Sequence, residues 1–236
     1  MYEGFLDEKL TSGKRVTRKD AIALIAEGEG LKVEFKRHFS SPEKIAKEMI
    51  AFANTRGGTI LFGVDDDGSV YGLDSEKSEI SEIEHVSQFL CEPPIDIRCD
   101  IIPFGGHTDI IAVTVEQSSH KPHTLVEYDS SGRRVTNGTR IGFVRVKDKS
   151  MQASKEVMNV MRANQPDAPP LRIAIGFNER TLFEYLEEYG KITVQEFADL
   201  VNISRRRASK ILVDLVRAGT ILLHNTETPE YFTLGE

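Results

Sequence analysis

The sequence predicts an α+β fold, a mixed sheet covered by helices, followed by a smaller helical unit closed by a hairpin. Three observations predict it. Short apolar stretches, alternating or continuous, are separated by glycine turns, as strands require. Between them stand segments with apolar residues at helical spacing, each opened by a capping Ser or Thr. A polar, proline-rich stretch (NQPDAPP, 164–170) then marks a change of character, so the expected division is 1–163, a linker at 164–177, and 178–236.

Residues 1–16 read as a polar leader or a short arm, and Thr17 is placed to cap a helix reaching residue 26, with Ile22 and Ile25 inward. Val33 and Phe35 alternate with Glu34, Lys36 and His38, which gives a strand with one apolar and one charged face. Ser41 caps a second helix with Pro42 at its first position. Ile45, Met49, Ile50 and Ala53 make its inward stripe, and Gly57-Gly58 stops it. The continuous apolar run at 59–64 suits a strand covered on both faces, and Asp67-Gly68 in the triple-aspartate stretch is a hairpin signal.

Ser78 opens the next helix, where Ile83, Val86, Phe89 and Leu90 recur until Pro93-Pro94 ends it. Segments 95–103 and 108–116 flank Gly105-Gly106 as a hairpin. Further strands are expected at 124–129 and 142–147, with turns at Gly132 and Asn137-Gly138, and Ser150 is expected to cap a helix through residue 161. Past the linker, 178–189 is helical with Leu182, Phe183 and Leu186 inward, and Thr193 caps a second short helix. After the Asn202-Ile203 turn, Ser204 caps a third helix that Gly219 ends, and 221–224 with 231–234 form a two-stranded tip. Helix, helix, turn, helix, hairpin is the order of a winged helix-turn-helix domain.

Composition bounds the function. A chain of 236 residues suffices for one large or two smaller cores, and no apolar run is long enough for a membrane span or a signal peptide. Cys91 and Cys99 make neither a disulfide framework nor a metal spacing, so the expected compartment is the cytoplasm. The net charge of −7 argues against indiscriminate coating of nucleic acid, although a local basic patch remains compatible with it. No Gly-x-x-x-x-Gly-Lys-Ser/Thr loop is present, so no ATP site of that type is expected.

Several words of the sequence carry a family resemblance: Glu29 with Glu34-Phe35-Lys36, Ala51-Phe52-Ala53-Asn54-Thr55, Gly57-Gly58-Thr59, Gly63-Val64-Asp65 and Gly72-Leu73. In this order they resemble the Schlafen/AlbA-type DNA-binding domain, and the resemblance extends to about residue 160 through His120-Lys121-Pro122, Phe143-Val144-Arg145-Val146 and Ala153. Where relatives carry a glycine after the Arg-Val pair, this chain has Lys147.

Two sets of residues are candidates for chemistry. Between Ser204 and Arg217 there are five basic residues (Arg205, Arg206, Arg207, Lys210, Arg217) against Asp214 alone. Ser204, Arg205, Arg206, Arg207, Ser209 and Lys210 are therefore expected on the outer side of a recognition helix, in contact with duplex DNA. The hairpin tip at 226–230 carries Glu227 and Glu230, which phosphate would repel, so little binding is expected there. The second set is Glu29, Glu34 and Asp65. If their strands pair, three carboxylates at one end of the sheet would suit Mg²⁺ or Mn²⁺, and the resemblance implies matching acids in RNA-cleaving relatives. The competing reading pairs Glu34 with Lys36 or Arg37 and makes Asp65 a turn former. Lys32, Lys36, Arg37 and His38 form a possible further nucleic-acid edge, weighed against simple solvation. His120 and His123 flank a proline and suit the lead-in to a strand better than a metal pair.

The leading expectation is a homodimeric transcriptional regulator that reads double-stranded DNA, is no enzyme and needs no cofactor. The alternative is a Mg- or Mn-dependent nuclease acting on RNA or single-stranded DNA through Glu29, Glu34 and Asp65.

Overall fold

The computed structural model describes residues 15–106, 108–135, 140–225 and 229–235. The chain divides into two compact units between Gln152 and Ala153, ahead of the linker expected at 164–177. None of the described helices is long and apolar enough to cross a membrane.

The first unit is α+β. Its sheet has the order β1-β2-β5-β4, from β1 (Val33–Lys36), β2 (Gly58–Phe62), β4 (Ile97–Gly105) and β5 (Thr108–Val115). β1 and β2 are parallel, with Glu34 opposite Ile60, and α2 (Pro42–Asn54) makes the crossover between them. β5 runs antiparallel to both its neighbours. Alternate residues of β2 then serve two cores. Ile60 and Phe62 join Ile45, Met49 and Phe52 of α2 on one face, while Leu61 joins Phe35 and Ala21 on the other. Ala21 belongs to α1 (Arg18–Glu27), whose N-terminus carries a full capping box between Thr17 and Asp20.

Covered on both faces, the sheet needs near-continuous hydrophobicity, and α2 is buried almost all round rather than along a single stripe. Full burial of a side chain such as Phe52 is worth about 2–3 kcal/mol. Gly58 is set by that ring: a Cβ there would lie 2.4 Å from the Phe52 side chain. Helix α3 (Glu76–His85) continues into a π-helical turn at Val86–Leu90, and β3 (Cys91–Glu92) pairs with β6 (Thr124–Leu125). β7 (Phe143–Val146) and β8 (Lys149–Gln152) form a hairpin turned by Lys147 and Asp148.

Several expectations are corrected. Ile22 is 51% exposed and Ala21 takes the inward place, because α1 meets the sheet one residue round from the expected stripe. Phe89 is exposed because the π turn rotates it out of helical register. Ser150 caps no helix; it lies in β8, and the capping hydroxyl belongs to Ser154, which accepts from Val157 N at 3.1 Å. The Asn137-Gly138 turn lies outside the described residues.

The second unit contains α4 (Lys155–Ala163), α5 (Phe177–Tyr189), α6 (Val194–Leu200), α7 (Arg205–Arg217) and the antiparallel pair β9 (Ile221–His224) and β10 (Tyr231–Leu234). Leu182, Leu186, Phe197, Ala208, Leu212, Leu215, Ile221 and Phe232 share its core. Thr193 and Glu196 form a capping box that starts α6, and Asn202 takes φ +53° in the turn before α7. α4 lies against α7 within this unit, and Ser154 Oγ donates to Glu230 Oε2 at 2.6 Å.

Candidate nucleic-acid interface

The carboxylates of the first unit do not stand open. Glu34 occupies the polar face of β1, but that face is buried. Its Oε1 is paired with Lys36 and its Oε2 accepts from Arg145 Nη1 at 2.8 Å. The Arg145 side chain is 1% exposed and also donates to Glu48 Oε2 at 2.9 Å and to Gly30 O at 2.7 Å. Ser150 Oγ fills the remaining gap between Arg145 and Glu48. A buried carboxylate survives only when paired and hydrogen-bonded, and here one guanidinium satisfies two of them.

Glu29 accepts from Phe35 N at 2.9 Å, and burial raises its pKa against the lowering effect of that bond. Asp65 sits beyond the end of β2, where its Oδ2 meets Arg37 Nη1 at 3.3 Å and its Oδ1 accepts from Asp66 N at 3.1 Å. The three acids thus have separate partners, and for Glu34 and Asp65 these include cations. Among the described residues no group of three or more His, Cys, Asp or Glu side chains is arranged to hold a metal ion. The donor set expected for Mg²⁺ or Mn²⁺ does not fit, because those ions need free carboxylate oxygens.

The same pairings weaken the second expected edge. Lys36 is spent on Glu34 and on Phe35 O at 2.8 Å. Arg37 pairs with Asp65 and stacks 3.9 Å from the Tyr71 ring centroid. Lys32 and His38 are exposed. Beside them, Arg37, His38, Tyr71, Ser75, Glu79 and Glu82 line a cleft of about 760 Å³ that carries both signs of charge.

The residues that set this architecture were not all visible as such in the sequence. Asn54 is buried at the end of α2. It donates to His123 O at 2.9 Å and Phe143 O at 3.0 Å, and accepts from His123 N at 2.8 Å. Thr55 Oγ1 accepts from Arg145 N, and Thr55 O accepts from Lys121 Nζ. The Asn-Thr pair therefore ties α2 to two distant segments, a structural use of a motif whose purpose its local sequence does not disclose. Cys91 is buried and Cys99 half-buried, and desolvation pushes both thiols up to about 12 and makes them poor nucleophiles.

In the second unit the basic cluster is well exposed. Ser204 caps α7, its Oγ accepting from Arg207 N at 3.3 Å, and Arg205, Arg206, Arg207 and Lys210 all reach solvent. Arg217 is half-buried and donates to Pro169 O at 2.7 Å. Ser209 departs from expectation: it is buried, with 6% exposure, instead of facing outward. The reason is that α7 is covered on two sides, by its own core through Ala208 and Leu212 and by α4 along the side carrying Ser209 and Val213. Lys155, Glu156 and Asn159 complete a cleft of about 570 Å³ there. Residues 226–228 of the hairpin tip lie outside the described residues; Glu230 is half-buried beside Ser154, and burial raises its pKa.

The first unit is a mixed-sheet α+β domain whose sequence words lie on β1, α2, β2 and β7 and in the segments that join them. The family model described as Schlafen, AlbA_2 matches residues 29–154, and the chain belongs to that family. Among solved structures, the DIP2311 protein of Corynebacterium diphtheriae is similar at 18% identity and a TM-score of 0.41, over 73% of this chain and 34% of its own. This chain thus spans about a third of that protein. The N-terminal domain of a Nitrosomonas europaea protein described as related to the ATP-dependent DNA helicase RecG is similar at 17% identity and a TM-score of 0.37, over 66% of this chain and 95% of its own. No curated protein matches the chain.

Proposed function

We propose that the chain is a DNA-binding transcriptional regulator whose second unit is a winged helix that engages duplex DNA through the first turns of α7. The observation that carries this reading is the exposed group Arg205, Arg206, Arg207 and Lys210 on a helix whose opposite stripe is locked in the core. A rigid helix presenting cations at its N-terminal end suits phosphate contact, and arginine there can read a guanine edge bidentately. β9 and β10 supply the wing. A single such unit spans few base pairs, so a homodimer on a two-fold-related site is the expected assembly. The family supports nucleic-acid binding in general; the duplex preference rests on α7 alone.

The pairing of Glu34 with Arg145 and of Asp65 with Arg37 gives the nuclease reading no support. The test is duplex binding followed against salt. Four phosphate contacts per protomer give a slope of log K against log salt of about −3.6 per protomer, and replacing Arg206 and Lys210 with Ala should reduce it by about 2 per protomer. A slope unchanged by that double replacement would remove α7 from the interface.

A further inference from the structure

We propose that the cleft between α4 and α7 binds a phosphate-bearing small molecule, and that its occupancy draws the α7 cations away from DNA. The regulatory half of this statement rests on the reading of α7 as the DNA contact; the binding half does not.

Lys155 of α4 and Arg205, Arg206 and Lys210 of α7 line the cleft, opposed by the single lining acid Glu156. Their positive balance, at the N-terminal end of a 13-residue helix, favours an anion. Charge alone would accept chloride or a DNA phosphate equally well. Ser209 adds the selective element. Its side chain lines the cleft with the residue only 6% exposed, and its Oγ is without a hydrogen-bond partner. Buried hydroxyls are nearly always bonded, so an orphan one on a residue that lines a cationic cleft points to a ligand that supplies the acceptor. An oxyanion is an acceptor throughout, and a tetrahedral phosphate can meet several cations and one hydroxyl together. The cleft, at about 570 Å³, leaves room beyond a phosphate for an organic portion, which makes a phosphate monoester the matching class. DNA cannot take this place, since a duplex is too wide to enter between two helices that a small phosphate ester can part. A ligand seated there would hold Arg205, Arg206 and Lys210 inward, and DNA would meet fewer free cations.

The test uses the full ¹⁵N-labelled chain with inorganic phosphate as probe, at ionic strength held constant with chloride. Saturable amide shifts confined to the first turns of α4 and α7 are expected. Ser209→Ala should weaken phosphate about tenfold with no loss of thermal midpoint, since the hydroxyl it removes has no partner in the protein. Lys155→Gln should weaken phosphate several-fold while leaving duplex affinity in phosphate-free buffer unchanged, because Lys155 is on α4 and outside the proposed DNA contact. Shifts that chloride reproduces, or a phosphate affinity indifferent to both replacements, would overturn the site. In a second arm, phosphate should release labelled duplex at the concentration that fills the cleft. Duplex binding without any phosphate site ends this inference and leaves the DNA reading intact. Phosphate binding by a chain that holds no duplex keeps the site and ends the DNA reading.

Discussion

Arg145 Nη1 stands 2.8 Å from Glu34 Oε2, so the strand carboxylate best placed for metal chemistry is held by a guanidinium from a hairpin far along the chain. Glu48 of α2 accepts from the same nitrogen, and Lys36 takes the other oxygen of Glu34. Two acids and two bases cancel, leaving a neutral clasp across β1, α2 and β7. Its business is cohesion.

Removing the centre of that clasp leaves the buried Glu48 without a cation and Glu34 with Lys36 alone. Arg145→Met is therefore expected to cost about 3–5 kcal/mol, read as a lowered urea midpoint of the first unit's transition. A loss below about 1 kcal/mol would show that the clasp contributes little.

Lys147 takes φ +57° in the β7–β8 turn, the conformation that glycine adopts freely and an L side chain adopts at a cost. Lys147→Gly should stabilise the protein by about 1 kcal/mol, seen as a rise in the thermal midpoint; an unchanged or lower midpoint contradicts the strain.

His123 sets a dependence on acid. Its Nδ1 lies 2.7 Å from Pro93 O, so it carries the proton, and Nε2 is buried without a partner. Burial holds its pKa below the usual 6.5, against the raising effect of the Pro93 bond. The unfolded chain then binds the proton first. Stability from this group is complete above pH 6.5 and falls as the pH drops through the folded value. Glu29, Glu79 and Glu230, raised by burial, act in the opposite sense, adding stability as the pH falls. Comparing wild type with His123→Gln isolates the histidine. Urea midpoints measured from pH 7 to pH 5 should fall more steeply in wild type, and parallel curves would contradict this account.

Much of the fold was legible because local signals agreed with it. Thr17, Ser41, Thr193 and Ser204 each cap the helix they announce, and the strand pair at 221–224 and 231–234 falls where alternation placed it. The site was less legible, because its decisive contacts are long-range. Nothing near Glu34 in sequence announces Arg145, and a polar residue alternating with Val33 and Phe35 reads as solvated until its partner arrives from β7. Ser209 failed for a related reason. A helix wheel that assumes one packing partner puts it outside, and α7 has two. The exposed cations of α7 needed no such partner and were read directly.

The central claim is that this chain holds duplex DNA without cutting it. The most direct measurement incubates purified protein with labelled duplex and with structured RNA, with Mn²⁺ and with chelator, following retention and chain length in the same tubes. The account predicts salt-sensitive retention of intact duplex, equal in Mn²⁺ and in chelator. Cleavage of either nucleic acid that requires Mn²⁺ would contradict it, for then Glu29, Glu34 or Asp65 must leave the partners that now hold them.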